Sequence, residues 1–242
     1  MSKNNPGLSI VIPIFNEEDN IPELFKRIKI FNTEVDFYHE FIMVDGNSSD
    51  ASVSIIEKLT KEYTDINLSL IKMNKKHGYG YDIMTGIKAA QFDYLSWTHA
   101  DLQTDINDLK IGYALIQNSK RDIVLKGKRK NRALLPELFT FGMQVYVYLK
   151  LGVSLSDINA QPKMFSRKFY EAYLIEEAPN DFSLDLYLLV MAKRNNIPIS
   201  EFSVFFNKRI AGTAKGGGGS WRNRFSLIKR TVKYINNLSI LN

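Results

Sequence analysis

Between Trp97 and Asp105 (WTHADLQTD) the chain offers an imidazole, a carboxylate and an amide in close succession. An apolar, strand-like run precedes them. On an extended backbone alternate side chains share a face. His99, Asp101 and Gln103 are therefore expected to point the same way. Such groups can hold a divalent cation, Mg²⁺ or Mn²⁺, and through it the oxygens of a diphosphate. The competing reading is a polar loop at a strand end. There Asp101 caps the following helix and His99 bonds a core carbonyl.

Positioning such groups needs a scaffold, and the pattern supplies one. Leu8 to Phe15 (LSIVIPIF) reads as a buried strand interrupted by Pro13, and Ile21, Leu24, Phe25 and Ile28 have helical spacing. Glu40 to Val44 is a second strand. It ends in a turn and N-cap cluster, Asp45 to Asp50, before a helix through Val53, Ile56 and Leu59. Ile66 to Ile71 is a third strand, Ile83 to Ala90 a helix and Tyr94 to Thr98 a fourth strand. Strand and helix alternate, with polar residues after each strand. That predicts an α/β domain on a mainly parallel sheet, whose ligands gather at the carboxyl ends of the strands. Asn16-Glu17, Asp45 and the His99–Gln103 cluster all fall at that edge.

The second half is less regular. Helices are expected over Asp108 to Asn118, Pro136 to Leu151 and Asp181 to Arg194, and strands over Asp122 to Leu125 and Ile199 to Phe206. Lys126 to Arg132 (KGKRKNR) reads as a basic loop, and Lys215 to Ser220 (KGGGGS) as a mobile one.

The 242 residues suit one domain with a sizeable core. There is no cysteine, which excludes disulfides and thiolate metal sites and fits a reducing compartment. The polar start has no signal-peptide core, and the nearest candidate for a membrane span, Leu138 to Val153, is short and carries Gln144 and Lys150. A cytoplasmic protein, soluble or peripheral at the inner face of a membrane, is expected. The net charge of +6 is uneven. Eight basic residues and no acid follow Phe202, which leaves 24 basic against 26 acidic residues before it. That end needs an anionic partner or a solvated face. From Trp221 onward, Phe225, Ile228, Val232 and Ile235 form an apolar stripe beside Arg222, Lys229, Arg230 and Lys233. The helix either lies on an anionic membrane or docks on the body.

Several stretches together resemble glycosyltransferase family two, and within it the polyprenyl-phosphate sugar transferases related to dolichol-phosphate mannose synthase. Val11 to Glu18 (VIPIFNEE) is similar to the family's V-I-P-x-Y-N-E-E start. Val44 to Asp50 (VDGNSSD) resembles its V-D-D-G-S-x-D turn, with Gly46 in place of the second Asp. Gly78-Tyr79-Gly80, then Gly86 and Ala89-Ala90, resemble G-x-G-x-A-x-x-x-G-x-x-x-A. His99 to Gln103 resembles D-A-D-L-Q, with His99 in the first Asp position, and Glu201 with Arg209 to Lys215 resembles a late E…R-x-x-G-x-S-K motif.

The resemblance implies a GT-A-type, Rossmann-like catalytic domain over residues 1–215, with a glycine-rich loop and basic helix, 216–242, joined to it. It implies an inverting, metal-dependent hexosyltransferase. The donor would be a nucleoside-diphosphate sugar. The acceptor would be a lipid phosphate or a glycan hydroxyl, in cell-envelope polysaccharide or glycolipid synthesis. Pro13, Asn16, Glu17 and Asp45 would meet the nucleotide, Asp45 through a base or ribose hydroxyl, unless it is only a turn residue. Arg129 would contact a phosphate. Asp185, or Asp157 in the acceptor-side loop, would be the base if a hydroxyl acceptor needs one. Asp101, Gln103 and His99 would hold the cation, and the imidazole favours Mn²⁺. Arg209 and Lys215 would close over phosphate, or else belong to a plain surface loop. A nucleic-acid- or nucleotide-binding module using the basic end is the alternative class, although the slightly acidic first 201 residues and the lack of an RNA-binding signature argue against specific nucleic acid. A dinucleotide-binding glycine motif after the first strand is absent.

Overall fold

The central strand, β1 (Leu8–Ile14), is buried on both faces. Its side chains alternate. Leu8, Ile10, Ile12 and Ile14 enter one hydrophobic layer and Val11 the other, as a period of two requires. The computed structural model describes residues 5–130, 134–207 and 221–240, with side chains left undescribed at 134–140, 221–227 and 239–240. β2 (His39–Asp45) and β3 (Leu68–Lys72) run parallel to β1 on one side, and β4 (Tyr94–Trp97) runs parallel on the other. Beyond β4 the order continues through β6 (Lys163–Ser166), β5 (Val124–Lys130) and β7 (Ile199–Phe205), giving β3-β2-β1-β4-β6-β5-β7. β6 alone of the seven is antiparallel to its neighbours. The mainly parallel sheet expected from the alternation of elements is the one found.

The helices are α1 (Ile21–Glu34), α2 (Ser52–Glu62), α3 (Tyr79–Ala89), α4 (Asp108–Gln117), α5 (Leu134–Leu151), α6 (Arg167–Tyr173), α7 (Leu184–Arg194) and α8 (Trp221–Ile240). α1, α2 and α4 cover the Ile10 face, through residues such as Phe25, Ile56 and Leu109. α3, α5, α6, α7 and α8 cover the Val11 face. Gly86 lets α3 lie against β1 and β2, since a β-carbon there would come within 2.5 Å of Val11. That close approach sets the height of α3 over the strand ends.

Three expectations are corrected. Residues 126–130 are not loop but the outer part of β5, paired with β7 from Val124↔Ile199 to Lys130↔Phe205. The basic run hid a strand because Lys126 turns inward, buried, with its ammonium 2.8 Å from Glu201. β6 and α6 were not anticipated at all. A lysine opens β6 and reads as surface, yet Lys163 is fully buried. α7 begins at Leu184 rather than at Asp181, whose carboxylate instead takes the Ser183 N–H at 2.8 Å.

The C-terminal helix docks. Ile235 and Leu238 enter the core, Tyr146 Oη donates to Asn236 Oδ1 at 2.7 Å, and Arg194 donates to the Leu238 carbonyl at 3.2 Å. Ile228 and Val232 are half-buried, and Lys229, Arg230 and Lys233 are exposed. Among the described residues no helix is long and apolar enough to cross a membrane. If α8 is part of the core, Ile235→Ala should cost about 2–4 kcal/mol, as truncation of a buried isoleucine does. Urea unfolding measures this, and a cost below about 0.5 kcal/mol, the usual range for surface substitutions, would make the helix an appendage.

Candidate active site

At the carboxyl edge of the sheet two loops are sewn together. After β1 the backbone at Asn16 turns left-handed (φ 53). Its N–H donates to Ser48 Oγ at 2.8 Å, and its side-chain oxygen accepts the Ser49 N–H at 2.8 Å. Glu17 N–H donates to Ser52 Oγ, Glu18 N–H to Asp50, and Glu18 in turn accepts the Ala51 N–H. Glu17 also holds Asn20 at 2.6 Å. Asn16 and Glu17 thus bind the two loops to each other. Pro13 ends the β1–β4 pairing. The ladder stops at Val11↔Trp97, and proline has no N–H to extend it.

Asp45, buried at the end of β2, accepts the N–H groups of Asn47 and Ser48 on Oδ2, each at 3.1 Å. Among the described residues its Oδ1 is buried without a hydrogen-bond partner. Asp82 on α3 faces it and also carries a buried oxygen, Oδ1, without a partner. Burial, and then the charge of Asp45, push the Asp82 carboxyl up to about 6 despite the opposing Lys76.

After Trp97 the chain leaves the strand and enters a turn. Ala100 and Leu102 are both buried, and Leu102 turns left-handed (φ 59). Asp101 Oδ1 takes the Gln103 N–H at 3.1 Å, closing a turn. The core claims the two apolar residues, and the segment closes as a turn instead of extending the strand. His99 stacks on Tyr79 at 5.5 Å between centroids, with Nε2 3.4 Å from the phenol oxygen. Gln103 is tied to the end of β7, donating to the Asn207 carbonyl while accepting the Asn207 N–H. Among the described residues no three His, Cys, Asp or Glu side chains converge as a ready-made metal cage. A cation held by Asp101 and His99 would have to complete its shell with diphosphate oxygens and water.

Asp185 lies deeper, at the first turn of α7 and 2% exposed. Its Oδ1 accepts from Gln161 Nε2 at 2.9 Å and Trp97 Nε1 at 3.2 Å, and lies 3.2 Å from Lys163 Nζ. Tyr79 Oη reaches Oδ2 at 3.5 Å. Burial pushes the Lys163 ammonium down to about 8, although Asp185 opposes it. Burial, with Asp185 and Asp101 nearby, holds the Tyr79 phenol well above its ordinary value. Asp157 instead faces Arg129, which gives it its backbone N–H and Nε, each at 2.9 Å, and the guanidinium NH2 as well. This pair fixes the loop before β6 against β5. Arg209 and Lys215 lie outside the described residues.

Tyr79, Asp82, Trp97, Gln161 and Lys163 were not singled out as site residues. Trp97, Tyr79 and Asp82 stood inside stretches read above for other residues, whereas Gln161 and Lys163 carried no signal that spacing alone could raise.

Residues 9–137, more than half of the chain, match the sequence model of glycosyl transferase family 2, and the chain belongs to that family. A dolichyl-phosphate beta-glucosyltransferase from Dictyostelium discoideum is 22% identical over 83% of this chain and 66% of its own. An undecaprenyl-phosphate 4-deoxy-4-formamido-L-arabinose transferase from Pseudomonas fluorescens is 28% identical over 69% of this chain and 49% of its own. The chain thus spans about half to two-thirds of the length of these two relatives. Among solved structures, glucosyl-3-phosphoglycerate synthase from Mycobacterium tuberculosis, in complex with Mn²⁺, UDP and glucosyl-3-phosphoglycerate, superposes with a TM-score of 0.72. It is 14% identical, over 97% of this chain and 80% of that one. The fold is the GT-A type expected from the sequence.

Asp82 gives the edge a pH signature. Between about pH 4 and 6 the folded chain holds a proton there that the unfolded chain has lost. Stability therefore falls as pH rises through that window and stays lower above it. Asp82→Asn should raise Tm more at pH 7 than at pH 4. Thermal scans of both proteins at the two pH values check this, and an equal difference at both would refute it.

Proposed function

We propose that this chain transfers a sugar from a nucleoside-diphosphate sugar to a polyprenyl phosphate, inverting the anomeric centre. The observation that carries the reading is the convergence, at one sheet edge, of the buried Asp45, the Asp101–His99 turn and the hydrogen-bonded floor around Asp185. The names of the dolichyl- and undecaprenyl-phosphate relatives support the acceptor class. UDP and Mn²⁺ in the mycobacterial structure support the donor class and the cation.

In this mechanism an acceptor phosphate oxygen attacks the anomeric carbon from the face opposite the leaving group. The carbon–oxygen bond to the donor diphosphate breaks, and its electron pair leaves with the nucleoside diphosphate. Asp45 receives nucleoside hydrogen-bond donors. Asp101 and His99, with Gln103 beside them, would hold the divalent cation, which supplies positive charge to the leaving diphosphate. A phosphate acceptor is already anionic near neutral pH and needs no strong base. That suits Asp185, whose Oδ1 is engaged by Trp97, Gln161 and Lys163. In this role Asp185 orients Tyr79 and Gln161 beneath the sugar, and the Arg129–Asp157 pair shapes the acceptor side. A glycan hydroxyl acceptor would instead require Asp185 or Asp157 to remove a proton.

Peripheral contact with the acceptor's membrane is part of the proposal. The exposed Lys229, Arg230 and Lys233 of α8 support it, as do Phe141, Val145, Tyr148 and Leu149, which α5 exposes. Arg209 and Lys215 would add positive charge beside the phosphates.

The test is transfer from radiolabelled UDP- and GDP-sugars, with Mn²⁺ or Mg²⁺, to polyprenyl phosphate and to the matching polyprenyl alcohol. Transfer to the phosphate alone is expected, and transfer to the alcohol alone would overturn the acceptor assignment. Asp101→Asn should lower kcat/KM on the order of 10²–10³-fold, the usual cost of losing charge stabilisation at a leaving group. Near-normal turnover at saturating metal would remove Asp101 from the site. Asp45→Ala should raise the donor KM while sparing kcat. A pure kcat loss would place Asp45 at the chemistry instead.

A further inference from the structure

Two departures from the family pattern meet in space. Residue 46 is glycine where the family turn has its second Asp, and Asp82 stands at the alanine of the G-x-G-x-A stretch. A β-carbon built on Gly46 would lie 2.6 Å from Asp82 Oδ2. No side chain can grow from position 46 while Asp82 holds its place. The carboxylate absent from the β2 turn is therefore supplied from α3 in the same space. The reason is geometric. Gly86 seats α3 on Val11 and Val44, and Asp82, four residues earlier on the same helix face, is carried over Gly46.

We infer that Asp82 is the second carboxylate of the nucleoside subsite, working with Asp45 to receive hydrogen-bond donors from the base or ribose of the nucleoside diphosphate. This inference rests on the proposed function and names a residue of the same site. Asp45 is 2% exposed and Asp82 5% exposed, and each has a buried oxygen with no partner among the described residues. Buried acceptors left unmet are costly, so such a pair lacks what a ligand rich in N–H and O–H donors brings. The charged groups acting on Asp82 are Asp45 on β2, which repels it, and Lys76 in the loop before α3, which attracts it. Between them, Asp82 is held at an electrostatic cost that a purely structural residue would not need. Two carboxylates also exclude a nucleoside that offers only acceptors at this edge.

The test is calorimetric titration of the full chain at pH 7.5 with UDP, GDP, CDP and ADP, each with Mn²⁺, and with Mn²⁺–pyrophosphate. The proteins are the wild type, Asp82→Ala, Gly46→Asp and the double variant. Asp82→Ala should weaken the preferred nucleotide roughly 10–100-fold, the cost of removing a charged hydrogen-bond acceptor, and leave pyrophosphate affinity unchanged. Gly46→Asp alone should lose nucleotide affinity or fold poorly, because its side chain meets Asp82. In the double variant the carboxylate returns on its family element, and nucleotide affinity should recover at least partly. Unchanged nucleotide affinity in Asp82→Ala overturns the inference, as does an equal loss of pyrophosphate affinity. A folded double variant no better than Asp82→Ala also overturns it. If the double variant does not fold, the nucleotide-against-pyrophosphate comparison in Asp82→Ala decides alone. A folded wild type that binds none of the four nucleotides overturns the proposed function and this subsite together. Nucleotide binding by the wild type with an indifferent Asp82 overturns the subsite alone.

Discussion

Asp185 carries a carboxylate into a space closed to water, and the two halves of the chain meet around it. A buried charge must find opposite charge and hydrogen bonds or the fold cannot keep it. Trp97 comes from β4, Tyr79 from α3, Gln161 from the loop before β6 and Lys163 from β6 itself. Removing one partner of such a pair costs about 3–5 kcal/mol, a large share of a domain's net stability. The ion pair need not add stability beyond what apolar residues would give. What it fixes is register. It sets β6 against β4 and ties the loop before β6 to α7.

The donor edge is organised differently, by short hydrogen bonds between loops. Asn16, Glu17 and Glu18 use their polar groups on the loop from Ser48 to Ser52, and that loop answers with its own. Two segments that would otherwise be independent become one surface. Against that stiff surface Asp45 and Asp82 keep oxygens unsatisfied. The edge tolerates this cost because the surrounding backbone is over-determined, and sites that bind ligands commonly concentrate such unmet groups.

How much was legible depended on whether a residue's neighbours lay close in sequence. The alternation of β1, the helical spacing of α1 and the polar residues at strand ends are local, and all were read directly. The polar cluster at 99–103 was also read at a strand end, where the structure has it. Its backbone is a turn rather than a continuation of the strand, with Leu102 left-handed in it. Charge misled at the basic run. Lys126 read as part of a solvated loop and Lys163 was not read at all, and both are buried where partners from distant segments, Glu201 and Asp185, take their charge. The tail's apolar stripe could have served a membrane or a core, and only docking of Ile235 and Leu238 decided for the core.

The sequence by itself determined the class of fold, the edge where ligands gather and the family, since periodicity and short motifs are properties of the chain alone. The tertiary structure decided which groups act together. The same sequence gap, a glycine at position 46 where the family has a carboxylate, reads as a loss in one dimension. In three dimensions Asp82, separated by more than thirty residues but seated by Gly86 one helical turn away, fills it. Electrostatics and sterics act through distance in space, and folding sets that distance.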